Sequence, residues 1–261
     1  MLQNEKFYAA TYAARAYALE SNLRPPEETI LRVMLPHLPT AKMLDIGVGG
    51  GRTTLHFAKW VRAYVGTDYS DSMITECQKR FSGYPDHISF MACDARSMEM
   101  FADGSFDFVL FSFNGIDYVS HDDRLRILQE VRRVGKPGGY FSFSTHNLNW
   151  AANLFELRRM ISFNPRLARR TTKQLILRFL YNRDVRAATV RNSPYAMIND
   201  GAHGGKLSTY YIRPLEQIAQ LKENFTDIRV FSLATGAEIE DPGQLKSIED
   251  QWLYYLCRMK Q

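Results

Sequence analysis

The residues most able to do chemistry begin in MLDIGVGGGRTT, positions 43–54, where an apolar stretch carries Asp45 and four glycines follow between 47 and 51. A glycine-rich turn between a strand and a helix presents backbone N–H groups to a nucleotide-like ligand. The dinucleotide fingerprint needs Gly-x-Gly-x-x-Gly. From Gly47 its third glycine falls on Arg52, and from Gly49 it falls on Thr54, so the spacing fails in both registers. No Gly-Lys-Ser/Thr follows, which excludes a P-loop as well. Asp45 would repel a pyrophosphate and suits a ligand with a cationic group.

Two further acids stand after apolar stretches: Asp68 in VGTDYS, 21 residues beyond Gly47, and Asp94 in CDARSM. FDFVLFSFNGIDYV follows, with Ser112, Phe113 and Asn114 at the end of its apolar run, and then the Gly/Pro turn and apolar run GKPGGYFSFST. With these residues in order, the sequence resembles the class I S-adenosylmethionine-dependent methyltransferases. The likeness covers roughly residues 40–146; residues 205–260 match only as strand, helix and two strands. It implies a Rossmann-like, doubly wound α/β sheet of seven strands with the last antiparallel. It also implies S-adenosyl-L-methionine as methyl donor. Gly47, Gly49 and Gly51 would let the backbone approach the methionine part of the cofactor, and Asp45 would interact with that end, often through water. Val48 stands where many members have Cys or Ala, and Gly50 is an extra glycine. Asp68 would accept from both ribose hydroxyls, and Tyr69 would lie against the adenine. Asp94 would meet the adenine amino group, the N–H of Ala95 a ring nitrogen, and Ser112 would border the cofactor.

Methyl transfer displaces sulfur in line, so the protein must align a nucleophile and exclude water. An oxygen nucleophile needs a base, and an amine must arrive unprotonated. Candidates are Asn114, Asp117, Tyr118 and His121 after the fourth strand, and His146 and Asn147 after the fifth. His203, Tyr210 and Tyr211 follow in NDGAHGGKLSTYY. His146 is the first choice for the base: it follows a strand on the ligand-binding edge, and an imidazole of pKa about 6.5 suits proton removal. His203, in a glycine-rich loop, is the second, Asn114 a third contributor, and His121 is expected to begin the next helix. On the first helix, read over 4–20 with Tyr8, Tyr12 and Tyr17, a lid over the cofactor is expected, with Tyr12 or Tyr17 reaching its carboxylate.

The elements that must position these residues alternate. Strands are predicted at 42–47, 62–67, 87–92, 106–112 and 139–145, with helices at 25–38, 52–60, 71–81 and 121–134. Such alternation predicts a parallel sheet covered on both faces, with ligands beyond the strands' carboxyl ends. Two or three helices are read after 146, then a strand at 205–212, a helix at 213–225 and strands at 228–234 and 251–260. The 261 residues are therefore expected to form one methyltransferase domain: N-terminal helices and lid at 1–38, cofactor-binding core at 39–146, basic helical insertion and substrate cap at 147–204, and the rest of the sheet at 205–261.

Composition bounds the partners. The chain is 45% hydrophobic, and no long apolar run predicts a membrane span. Three distant cysteines argue against a disulfide framework or a zinc site, so no metal is expected and a cytoplasmic location is. The net charge of +5 is uneven: residues 146–200 hold nine Arg and one Lys against three acids, +7, leaving −2 elsewhere. Arginine binds carboxylate and phosphate bidentately, so the expected acceptor is a small, anionic molecule methylated on O or N. The alternatives are RNA, with the insertion tracking phosphates, and a non-catalytic cofactor-binding or scaffold protein of the same fold.

Overall fold

The computed structural model describes residues 21–152, 181–183, 185, 187–201 and 207–261. Strands β1 (Lys42–Ile46), β2 (Ala63–Asp68), β3 (Ile88–Ala92), β4 (Phe106–Phe111) and β5 (Gly135–Asn147) carry the first half. Between them lie α1 (Pro25–Met34, ahead of β1), α2 (Thr54–Phe57), α3 (Asp71–Arg80) and α4 (His121–Val134). The later elements are α5 (Leu148–Ala152), α6 (Ala187–Asn192), β6 (Tyr195–Ile198), β7 (Thr209–Ile212), α7 (Pro214–Leu221), β8 (Phe225–Ser232), α8 (Pro242–Leu245) and β9 (Trp252–Met259).

The main sheet runs β3-β2-β1-β4-β5-β9-β8. Strands β1 to β5 are parallel, and β9 is antiparallel to both β5 and β8. This is the seven-stranded, Rossmann-like arrangement with an antiparallel last strand that the sequence implied. Side chains alternate across it with the period of two that a strand imposes. Leu44 and Ile46 of β1 join Val131, Val134 and Leu221 on the face of α4 and α7, while Met43 joins Ile30, Met34 and Phe57 on the face of α1 and α2. Helix α4 starts where expected because Ser120 caps it, its Oγ accepting from Asp123 N at 3.1 Å.

The strand read at 205–212 is β7, which joins the sheet by a short parallel pairing with β5 at His146 and Asn147 and pairs antiparallel with β6. Two expectations differ. Strand β6 lies inside the segment read as a helical insertion. Its four residues, YAMI, have no period to show, and only pairing with β7 makes them a strand. The helix read over 52–60 shortens to α2 and a 3-10 turn at Ala58–Trp60. Among the described residues, no helix is long and apolar enough to cross a membrane.

Candidate active site

A cavity of about 390 Å³ opens beyond the carboxyl ends of β1, β2 and β4. Its cofactor-side wall is the glycine turn. Gly47, Gly49 and Gly51 all have positive φ, at 64°, 54° and 78°. A Cβ at Gly47 would come within 2.9 Å of Phe111, and one at Gly51 within 2.4 Å of Phe81. Backbone lining of this kind requires glycine. From below, α3 steadies the turn: Cys77 Sγ donates to Gly49 O at 3.0 Å and Arg80 to Gly50 O at 2.6 Å.

Asp68 ends β2 and closes on the same turn. Its Oδ2 accepts from Gly49 N at 3.0 Å and Oδ1 from Ser70 N at 2.9 Å. Burial raises its pKa to about 6 against these two bonds. Each oxygen keeps a lone pair for a hydroxyl at the cavity wall. Asp94 and Ala95 lie across the cavity, with half-exposed Tyr69 between the acids in sequence. The Asp94 carboxylate is engaged by Arg96, through its backbone N at 2.9 Å and its Nη2 at 2.5 Å. Burial works to raise the Asp94 pKa, but Arg96 holds it below the ordinary value.

Asp45 and Ser112 border the cavity but spend their side chains elsewhere. Asp45 alternates onto the α1/α2 face of β1, where Oδ2 accepts from Thr53 Oγ1 and Tyr64 OH, both at 2.5 Å. Ser112 Oγ donates to Glu27 Oε1. Both residues thus line the cavity, as expected, while their side chains bind Thr53, Tyr64 and Glu27. Glu27 is the hub that the sequence did not reveal. It accepts from Arg52 at 2.5 and 2.7 Å, from Arg24 N at 2.7 Å and from Tyr254 OH at 3.1 Å. Burial raises its pKa, but Arg52 outweighs burial and the net shift is downward. This pins α1 to the glycine turn and to β9.

The opposite end holds His146. Its Nδ1 lies 2.8 Å from Asp117 Oδ2, which also accepts from the His146 backbone N at 2.7 Å. Asp117 Oδ1 takes Arg124 Nη1 at 2.5 Å and Thr145 Oγ1 at 2.7 Å. Asp117 and Arg124 are fully buried, and Gln217 of α7 accepts from Arg124 Nη2 at 2.6 Å. The acid thus fixes the ring with Nδ1 inward, and Nε2 lies 3.4 Å from Asn114 Nδ2 at the cavity. Asp117, His146 and the buried Arg124 come from three elements, an arrangement that suits a general base. Arg124 was invisible in sequence because it reads as one more charge on an amphipathic helix.

Aromatic rings surround this end. Tyr211, Trp252 and Tyr118 approach the His146 ring at 5.0, 5.9 and 6.5 Å between centroids. Phe113 and Asn114 both have positive φ, 58° and 62°. For phenylalanine this is strained, and such strain concentrates at functional sites. His121 begins α4 as expected and bonds Tyr210 OH at 2.8 Å, away from the cavity lining. Tyr12, Tyr17 and His203 lie outside the described residues. Among the described residues, no cluster of His, Cys, Asp and Glu could hold a metal.

Residues 43–139 match the family described as methyltransferase domain. The match covers under half of the chain. The chain is 39% identical over 100 residues to the ubiquinone/menaquinone biosynthesis C-methyltransferase UbiE of Desulfotalea psychrophila, 38% of each chain. The chain thus spans under two fifths of that relative's length. Solved structures share the fold over most of the chain. An S-adenosylmethionine-dependent methyltransferase from Mesorhizobium loti has a TM-score of 0.59 at 17% identity, covering 89% of this chain and 97% of that one. The 1,6-didemethyltoxoflavin-N1-methyltransferase of Burkholderia thailandensis has a TM-score of 0.56 at 16% identity, covering 90% and 77%. The matched residues carry the glycine turn, Asp68, Asp94 and Asn114, but end before His146. The left-handed glycines and the Asp68 carboxylate fit S-adenosyl-L-methionine.

Proposed function

We propose that this protein is an S-adenosylmethionine-dependent methyltransferase of a small-molecule acceptor, with His146 as general base. The observation that carries the reading is one cavity bordered by the glycine turn and Asp68 on one side and by the Asp117-held His146 on the other. When bound, the cofactor supplies a methyl carbon activated by positive sulfur. The protein's part is alignment and proton removal. Asp68, tied to Gly49, holds the ribose end, and the glycine backbone receives the methionine end. Asp117 keeps the His146 ring oriented, so Nε2 takes the proton of an acceptor O–H, N–H or enolisable carbon. The aromatic wall excludes water, which strengthens these contacts.

The acceptor atom expected from sequence was O or N. Relatives whose names specify C- and N1-methylation widen the proposal to carbon. Most arginines of the insertion, expected to meet an anionic acceptor, and Tyr12 and Tyr17 of the expected lid lie outside the described residues. Calorimetry with S-adenosylhomocysteine tests the cofactor: wild type binds, and Asp68→Ala binds at least about tenfold more weakly. No binding by wild type, or unchanged binding by the variant, sinks the reading. Labelled-cofactor turnover against metabolite and RNA pools identifies the acceptor. His146→Ala then loses about 100-fold or more in turnover near pH 7.

A further inference from the structure

Two residues that line the base end of the cavity each carry a buried polar atom without a hydrogen-bond partner among the described residues: Asn114 Oδ1 and Trp252 Nε1. They are of opposite kind. The amide oxygen only accepts, and the indole N–H only donates. Native interiors leave few such atoms unpaired, because each costs its lost hydration. Asn114 is 4% exposed, so bulk water does not satisfy it. Its amide nitrogen faces His146 Nε2 at 3.4 Å, which directs Oδ1 to the remaining side. Trp252 pairs with His146 across β5 and β9, and its ring lies 5.9 Å from the imidazole. The two orphans therefore flank the His146 ring, one on the β4 side and one on the β9 side.

The backbone gives Asn114 its place. Its left-handed conformation follows that of Phe113, and its N–H is taken by Ser144 Oγ at 2.8 Å. The Phe113 ring stands edge-on to Trp252 at 6.0 Å. The space between the orphans is thus walled by Phe113, Trp252, Tyr118 and the imidazole, all flat and apolar on their faces. A group that fills it should be flat. It should also carry one N–H or O–H for Asn114 and one carbonyl-type oxygen for Trp252.

We propose that this is the acceptor subsite, and that the part of the acceptor it takes is an uncharged, flat group with a hydrogen-bond donor beside an acceptor, as in a lactam or hydroxy-carbonyl ring. The assignment rests on the methyltransferase reading and adds the chemistry that selects the substrate. Asn114 and Trp252 set specificity, since a ligand that lacks either function leaves a buried polar atom unpaired.

The test uses the full chain loaded with S-adenosylhomocysteine and three probes: 2-quinolone, N-methyl-2-quinolone, which lacks the donor, and indole, which lacks the carbonyl. Calorimetry or ligand-observed NMR should show 2-quinolone binding about tenfold more tightly than either of the others. Asn114→Gly suits the left-handed backbone and should erase the preference over N-methyl-2-quinolone alone. Trp252→Phe keeps the ring and should erase the preference over indole alone. Melting curves confirm that both variants fold. Equal binding of the three probes by wild type overturns the proposal, as does discrimination that survives both substitutions. Weakened S-adenosylhomocysteine binding by Asn114→Gly with probe preference intact also overturns it, since Asn114 would then serve the methyl donor. Should wild type not bind S-adenosylhomocysteine at all, the methyltransferase reading fails, and the probe preferences, measured without it, still decide the subsite.

Discussion

Asp45 and Asp68 are buried acids on neighbouring strands, and burial raises both to about 6, yet they do different work. Asp68 is held by backbone N–H groups at the cavity, where a ligand's hydroxyls can use its open lone pairs. Asp45 is held by Thr53 and Tyr64 beneath the turn, where it ties β1, α2 and β2 together. A carboxyl raised in the folded state binds its proton more tightly when folded. Its favourable contribution is complete below pH 3.8 and lost as pH rises through about 6. At neutral pH the ionised Asp45 therefore costs stability, of order 2–3 kcal/mol for a shift of about two units. Asp45→Asn can still accept from Thr53 and Tyr64, so it should raise the melting temperature at pH 7–8, with the gain vanishing near pH 4. A variant less stable than wild type at pH 8 would contradict this account. Asp68 makes the matching prediction for binding: S-adenosylhomocysteine affinity should weaken below pH 6, by about tenfold per unit once the carboxyl is mostly protonated. Calorimetry between pH 5 and 8 reads it directly.

At the scale of elements, the base end is a junction. The 3-10 turn Gly115–Tyr118 supplies Asp117, β5 supplies Thr145 and His146, α4 supplies Arg124 and α7 supplies Gln217. Arg124 balances the charge of Asp117. Arg124→Gln leaves that carboxylate buried without its cation, a loss of about 3–5 kcal/mol that denaturant unfolding measures. Arg124→Lys keeps the charge and should restore most of that loss; unchanged stability in Arg124→Gln refutes the junction.

At the scale of the molecule, β1 to β5 set one cofactor-side row and β9 brings Trp252 and Tyr254 to it from the far end of the chain. A ligand that binds only the folded form stabilises it by about 2.7 kcal/mol at 100 times its Kd. S-adenosylhomocysteine at that concentration should raise the melting temperature by about 5–10 °C. NAD at equal concentration should leave it unchanged, because the Gly-x-Gly-x-x-Gly spacing is absent. A shift with NAD would overturn the reading of the turn. Most of the candidate site was legible in the sequence because its parts are local. Glycines 47, 49 and 51 and acids 68 and 94 stand at or just beyond strand ends, so a one-dimensional pattern carries a three-dimensional site. His146 was legible for the same reason, near the end of an apolar strand. The side-chain destinations of Asp45 and Ser112 were not, since alternation along a strand places a residue on a face without naming its partner. Strand β6 was hidden because four residues without periodicity acquire strand geometry only from β7. The sequence by itself determined the sheet's alternation, the glycine turn and the acids that line the candidate site. Only the tertiary structure decided that Glu27 meets Ser112 and Tyr254, 85 and 227 positions away, that Arg124 neutralises Asp117, and that Asn114 Oδ1 and Trp252 Nε1 have no hydrogen-bond partner among the described residues. The physical reason is range: strand and turn signals act between neighbours in the chain, whereas pairing of buried charge and hydrogen bonds is settled only when distant segments are packed together.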